Sequence, residues 1–269
     1  MADVEWLNLK AHDLRRLARA DAIAVVPVGS VEQHGPHLPV QTDTRLAHET
    51  SCRAARRVIA GGGQAVVLPT VWLGLSDHHV DFGGTLTADY ETFHAVLAAV
   101  VRSVTALGFR RVLFNNGHGG NIDALKVSTQ RLARETAAVV VATTYPMEAV
   151  EEFGEILEDQ DFIQHADEAE TSMMLALVPD LVDAGDLASC EGAAISGPLS
   201  SAKGYRWRPF SAMTANGVRG NPTRASAEKG ERLLDAAAAG LARLMLAAET
   251  WAPIEDRRLA ETGGVPLRD

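Results

Sequence analysis

Cysteine is scarce in this 269-residue chain: there are two, Cys52 and Cys190, far apart and with no Cys-x-x-Cys motif. They are expected to form neither a disulfide framework nor a thiolate zinc site, and to be buried thiols of a reducing compartment. Positive charge is in deficit as well. With 25 basic against 35 acidic residues and a formal charge of -10, a partner whose surface is a field of nucleic-acid phosphates or anionic lipid is disfavoured. Long apolar runs are missing: stretches such as Ala137 to Ala142 are strand-sized, too short to span a bilayer. The opening Met1-Ala2-Asp3-Val4-Glu5 has no basic leader character, so a soluble, cytoplasmic protein is expected. Repeats and low-complexity tracts are absent too. Ala236 to Ala239 lies inside a helical pattern and reads as a tightly packed helix.

What is present is a large hydrophobic fraction, 46% of residues, enough for a full core in one domain. That domain is expected over residues 1–253, followed by a tail over 254–269 that has charge, glycine and proline but no period. Four runs rich in Val, Ile or Leu read as buried strands: Ala22 to Gly29, Ala65 to Thr70, Arg111 to Asn115 and Ala137 to Thr144. Between them, Thr44 to Ala60, Asp89 to Leu107 and Ile122 to Glu135 have helical spacing, the first two ending at Gly61 and Gly108, residues suited to a left-handed cap. Strand and helix alternate, which predicts an α/β fold with a mainly parallel central sheet and helices on both faces. Beyond Thr144 helices are expected near Met147 to Glu158, Ala169 to Val178 and Arg224 to Glu249, with a glycine- and serine-rich passage from Gly192 to Gly220.

In such sheets ligands bind outside the carboxyl ends of the strands. The first strand runs into Glu32-Gln33-His34-Gly35-Pro36-His37, the second into Ser76-Asp77-His78-His79, and the third into Asn116-Gly117-His118-Gly119-Gly120-Asn121. Five of nine histidines fall there. Glu32 and His34, two apart in an extended segment, can face one point, and Asp43, at the start of the next helix, can return to it. His118 arrives in a glycine-rich turn that allows close approach. The segment His165-Ala166-Asp167-Glu168-Ala169-Glu170 adds an imidazole and several carboxylates, of which one could complete metal binding while another handles protons. Mixed oxygen and nitrogen ligation of this kind suits zinc, manganese or iron(II). Asp77, His78, Asn116, Gly119 and Gly120 are candidate substrate-facing positions. Any one of these short motifs is most often a plain loop. Convergence at one sheet edge is what gives them weight, since packing alone does not gather so many titratable groups. The exposed-looking Arg206-Trp207-Arg208 reads as a surface stacking cluster.

The run Gly29-Ser30-Val31-Glu32-Gln33-His34-Gly35-Pro36-His37-Leu38-Pro39 with Thr42-Asp43, the turn Asn116 to Asn121, the segment His165 to Ser172 and Gly217-Val218-Arg219-Gly220-Asn221-Pro222-Thr223 resemble the creatininase family. The resemblance implies a three-layer α/β/α fold, a homo-oligomer, often a hexamer, and two divalent metal ions per subunit. By position it puts Glu32, His34, Asp43, His118 and Glu170 around the metals, with Asp43 as the bridge, His165 as the proton-handling residue and Glu168 as the second choice for that role. Creatinine-hydrolysing members carry an aromatic residue and a glutamate where this chain has Gly119 and Gly120, and a Trp-Asp pair where it reads Asp161-Phe162. These departures point away from creatinine. The activity implied is hydrolysis of an amide-type carbon–nitrogen bond in a small molecule such as a cyclic amide or formamide. The alternatives are a creatininase-like peptidase acting on a small peptide precursor and a non-catalytic metal-binding scaffold or sensor. Sugar-ring hydrolases of this fold act on carbon–carbon bonds.

Overall fold

The computed structural model describes residues 3–192 and 206–254. Four short strands, β1 (Ile23–Val28), β2 (Ala65–Val67), β3 (Arg111–Asn116) and β4 (Val139–Thr144), form one sheet in the order β2-β1-β3-β4. Every pairing is parallel, with Ile23 opposite Ala65 on one side and Arg111 on the other. All six residues of β1 are buried, as a strand covered on both faces requires. Pro27 lies within this central strand. Its carbonyl accepts from Val71 N–H on the β2 side at 2.9 Å, and β2 has already ended, so the missing N–H of proline leaves no ladder bond unmade.

Alternate strand residues feed two separate cores. Ile23, Val25, Val67 and Leu113 pack under α2 (Thr42–Ala60), α5 (Val150–Ile156), α6 (Glu168–Leu177) and α7 (Ala227–Leu246). Ala24, Val26, Val112 and Phe114 pack under α1 (Ala11–Arg19), α3 (Tyr90–Leu107) and α4 (Ile122–Glu135). This is a three-layer α/β/α arrangement with the period-two alternation of a strand deciding which layer each side chain enters. Among the described residues no helix is long and apolar enough to cross a membrane.

Several sequence expectations change in detail. The amphipathic α1, with Leu14 and Ala18 buried, was not anticipated, because three arginines and a histidine dilute its short apolar stripe. The helix expected over Met147 to Glu158 divides into a 3-10 turn at Tyr145–Ala149 and then α5. The last helix starts later than expected, at Ala227, because the Ser226 hydroxyl accepts from Lys229 N–H and caps it there. Gly108 does adopt the left-handed cap at φ 109°, whereas Gly61 does not, and Gly62 at φ 86° takes that conformation instead. Both cysteines are buried and unbridged. Arg206, Trp207 and Arg208 are exposed. Residues 193–205 of the glycine- and serine-rich passage and residues 255–269 of the tail lie outside the described residues.

Candidate functional site

The strand order reverses at β1, whose chain neighbours leave in opposite directions to β2 and to β3. A crevice opens at such a switch point, and there the ends of β1 and β3 meet the first turn of α2. Gly117 makes the approach possible: a Cβ added there would lie 2.7 Å from Asp43 O and 3.1 Å from Ala47 Cβ. Two residues earlier, the Asn115 amide donates to Ala47 O, Thr50 Oγ1 and Ser51 Oγ, locking β3 onto α2.

Glu32, His34, Asp43, His118 and Glu170 are thereby brought together, all buried. The two oxygens of Asp43 diverge. Oδ1 lies 3.1 Å from His34 Nε2, and Oδ2 lies 3.1 Å from His118 Nδ1. Glu170 Oε2 stands 3.5 Å from His34 Nε2, and Glu32 Oε2 stands 3.0 Å from His118 Nδ1. Two triads share Asp43, Glu32-Asp43-His118 and His34-Asp43-Glu170, and a third, Glu32-His34-His165, adjoins them.

The far nitrogen of each ring determines what the near one can do. His34 Nδ1 donates to the Glu32 carbonyl at 3.1 Å, and His118 Nε2 donates to the Leu75 carbonyl at 3.1 Å. Each ring then turns a lone pair, not a proton, toward the carboxylates. Acceptor faces acceptor at about 3 Å, an arrangement that is repulsive unless a cation or a proton sits between. Asp43 Oδ2, which faces His118 Nδ1, accordingly finds no hydrogen bond although buried. Donor atoms held at roughly 2.0–2.2 Å from one tetrahedral ion are separated by about 3.4 Å, and the observed spacings of 3.0 to 3.5 Å fit that arrangement. Burial works against the charged form, yet Asp43 and Glu170 hold His34, and Glu32 and Asp43 hold His118, well above the usual imidazole range. Burial pushes Glu170 up to about 7, against the pull of His34, while His34 and His118 draw Asp43 far below the carboxylate range despite burial.

His165 closes the centre from the other side. Its Nε2 donates to the Gln33 carbonyl at 2.9 Å, so Nδ1 presents a lone pair 3.6 Å from Glu32 Oε1. Burial first, and then His34, keep its pKa well below the ordinary value, so this imidazole is neutral. Ala166, next in the chain, has a left-handed φ of 52°, a strained conformation for a residue with a Cβ. The strain aims its N–H at Glu170 Oε2, 2.6 Å away.

Three residues of this network, Gln33, Ser76 and His79, lay in the strand-end runs but were given no role by the sequence reading. The Gln33 amide donates to His79 Nδ1 at 2.8 Å and to Gly217 O at 3.1 Å, while its Oε1 accepts from Gly35 N–H. His79, so oriented, points Nε2 at Glu32 Oε1 from 3.3 Å. Ser76 donates to Glu32 Oε2 at 2.6 Å. The Gln33-His34 and His78-His79 adjacencies were visible, but which member turns inward is a matter of backbone path.

The remaining candidates either border the cluster or stand apart from it. Asp77 is exposed and His78 half-buried, the latter stacked on His118 with ring centroids 5.6 Å apart. Asn116 spends its side chain on the turn, donating to His118 O and Thr144 Oγ1 and accepting from His118 N–H and Asn121 Nδ2. Glu168 stands apart from the cluster: its carboxylate accepts from Glu158 N–H and pairs with Lys229 Nζ at 2.6 Å. His37 is buried against Thr171 Oγ1 at 2.9 Å. Gly119 is open, with nothing within 4 Å of an added Cβ, whereas a Cβ on Gly120 would collide with His118 Nε2 and Leu75 O.

A parallel sheet between two helical layers thus carries a buried centre of carboxylates and imidazoles at its switch point. The chain belongs to the creatininase family: the family profile, creatinine amidohydrolase, matches residues 7–245. It is 33% identical over 221 residues to the mycofactocin precursor peptide peptidase of Mycolicibacterium smegmatis, covering 81% of this chain and 82% of that protein. It is 30% identical over 242 residues to the 3-dehydro-scyllo-inosose hydrolase of Thermotoga maritima, covering 82% and 75%. A solved structure described as creatininase Mn superposes with a TM-score of 0.75 at 26% identity, over 94% of this chain and all of that one.

Proposed function

We propose that this creatininase-family hydrolase uses two divalent cations to cleave a carbon–nitrogen bond of amide character in a small molecule. The observation that carries the reading is Asp43, each of whose oxygens faces the lone pair of a different imidazole. Glu32, Asp43 and His118 would hold one ion, and His34, Asp43 and Glu170 the other. Their oxygen and nitrogen donors suit zinc, manganese or iron(II). When bound, such ions supply Lewis acidity, polarising a carbonyl and making water acidic enough to attack it near neutral pH.

The chain's own residues supply the rest. His165, neutral and pinned in one tautomer by the Gln33 carbonyl, takes the attacking water's proton at Nδ1 and returns it to the departing nitrogen, so that acid and amine leave balanced. Gln33 and His79 hold the Glu32 carboxylate and the His165 ring in register. The backbone of the Gly119-Gly120 turn is the surface against which a carbonyl oxygen would lie. Glu168, neutralised by Lys229, is assigned to the scaffold. The collision awaiting any side chain at Gly120 leaves no room for the glutamate that accompanies creatinine hydrolysis in the resemblance, so creatinine is not the substrate proposed.

A second reading, cleavage of a small peptide, is favoured by the likeness to the mycofactocin precursor peptide peptidase over most of both chains. One experiment addresses both. Metal-loaded protein is offered cyclic amides, formamides and short peptides, and new amine is followed by mass spectrometry. Turnover that requires metal and disappears in Asp43→Ala supports the proposal, and the productive substrate chooses the reading. Metal uptake with no turnover of any amide would leave a binding protein, and no uptake at all would sink the hydrolytic mechanism.

A further inference from the structure

On the far side of α2 from the centre, three side chains converge that the hydrolytic reading does not use. His48 and Cys52 are four residues apart on α2, on one face of the helix. Glu5 reaches them from the N-terminal segment. The Glu5 Oε2 to His48 Nε2 distance is 3.2 Å, and Cys52 Sγ to His48 Nε2 is 3.6 Å. We propose that Glu5, His48 and Cys52 form a separate site for a borderline-soft divalent cation of the zinc class. The scarcity of cysteine and the lack of a Cys-x-x-Cys pair argued against thiolate ligation at the level of sequence. The helical His48-Cys52 pair and the remote Glu5 are the ground for proposing otherwise.

The geometry matches such an ion. With Zn–S near 2.3 Å and Zn–N or Zn–O near 2.0–2.1 Å, tetrahedral angles separate sulfur from nitrogen by about 3.6 Å and nitrogen from oxygen by about 3.4 Å. Protons serve the triad poorly. His48 Nε2 either donates to Glu5, leaving the sulfur without a partner, or accepts from the thiol, leaving Glu5 opposite a lone pair. A cation satisfies all three donors at once, with the thiol proton released to solvent and the fourth position open to water. Burial and the carboxylates of Glu5, Glu49 and Asp3, opposed by Arg56, push the Cys52 thiol up to about 12, and the same negative field favours a cation. Cys52 is buried while Glu5 and His48 are partly exposed, which gives an ion an entrance from solvent and a sulfur protected from oxidants.

Occupancy would join the N-terminal segment, already tied to β2 by Val67 N–H to Val4 O at 2.8 Å, to the helix whose first turn carries Asp43. The site acts as a staple and is independent of whether the central cluster is catalytic.

Cobalt(II) distinguishes the two centres, because the central one has no sulfur. Metal-stripped protein titrated with cobalt should develop thiolate-to-cobalt charge-transfer absorption equivalent to one sulfur per chain. The band should persist in Cys190→Ser and vanish in Cys52→Ser. Glu5→Gln and His48→Gln, both at partly exposed positions, should weaken cobalt binding at this band by more than the roughly 10–100-fold that loss of an outer partner costs. A wild-type chain without the band at saturating cobalt overturns the proposal. So does a band that survives in His48→Gln with undiminished affinity, a variant that tests the site even if Cys52→Ser does not fold.

Discussion

In the proposed mechanism Asp43 and His165 divide the chemistry between them, and single substitutions separate their roles. Asp43→Asn keeps the shape of the side chain but loses the charge that faces two imidazoles. Elemental analysis of protein purified without chelator should find about two ions per chain in the wild type, apart from any at the Cys52 site, and a sharp fall in the variant. His165→Ala should retain the central ions and lose turnover by roughly 10²–10⁴-fold, the usual worth of a positioned acid or base. If metal content falls with His165 removed, that ring belongs among the ligands, a reading its place 3.6 Å from Glu32 keeps open to measurement. Gln33 is a positioning residue of the same network. Gln33→Leu should lower kcat more than it raises KM, because it frees the His79 ring, which packs against His165 at 4.4 Å between centroids, without touching substrate.

The helices hold these residues by arrangements that can be tested in isolation. At the start of α6, Asp167 accepts from Glu170 N–H at 3.0 Å and so sets the register that delivers Glu170. Between α6 and α7, Lys229 bridges the fully buried Glu168 and the exposed Glu158. Its ammonium is held above the usual lysine range: burial opposes this, but hydrogen bonds to Glu158 and Glu168 prevail. The linked stability is therefore present at neutral pH and is lost only as pH rises through the raised value. Lys229→Met strands a buried carboxylate. Breaking a fully buried pair costs about 3–5 kcal/mol, and solvent access at Glu158 reduces the expected loss to about 2 kcal/mol, measurable by urea unfolding. Turnover per folded molecule should hardly change, whereas a loss of kcat at full folding would return Glu168 to the chemistry.

For the molecule as a whole, acid should act through buried neutral imidazoles. Burial, followed by the neighbouring His34, lowers His37 to about 4. Its folded pKa lies below its unfolded one, so the unfolded chain binds the extra proton, and stability is complete above pH ~6.5 and falls as pH drops toward ~4. The shift bounds the loss near ~3 kcal/mol. Urea unfolding of metal-free wild type between these pH values, compared with His37→Gln, should show a steeper acid loss in the wild type; parallel curves would remove His37 from the account. Chelation should lower the thermal midpoint of the wild type, since ions that bind only the folded chain stabilise it by mass action.

Much of this was legible in the sequence, and the limit has a physical cause. Periodicity and turn residues located β1 to β4 and most helices, because alternation and helical spacing are local properties that burial on one or two faces imposes. The same locality placed Glu32, His34, Asp43 and His118 at the strand ends of one sheet edge. Local pattern could not say which of two neighbouring histidines turns inward at 78 and 79, that Asn116 would be consumed by its own turn, or that Glu168 would face Lys229 rather than Glu170's neighbours. It also could not see Glu5 beside Cys52. Those outcomes depend on contacts between segments tens of residues apart, where the path of the backbone, not the residue type, decides which donor meets which acceptor. Composition and spacing determined an α/β chain with a polar edge rich in metal-type donors; the tertiary structure alone decided how those donors pair, because pairing is set by distances that no sequence interval records.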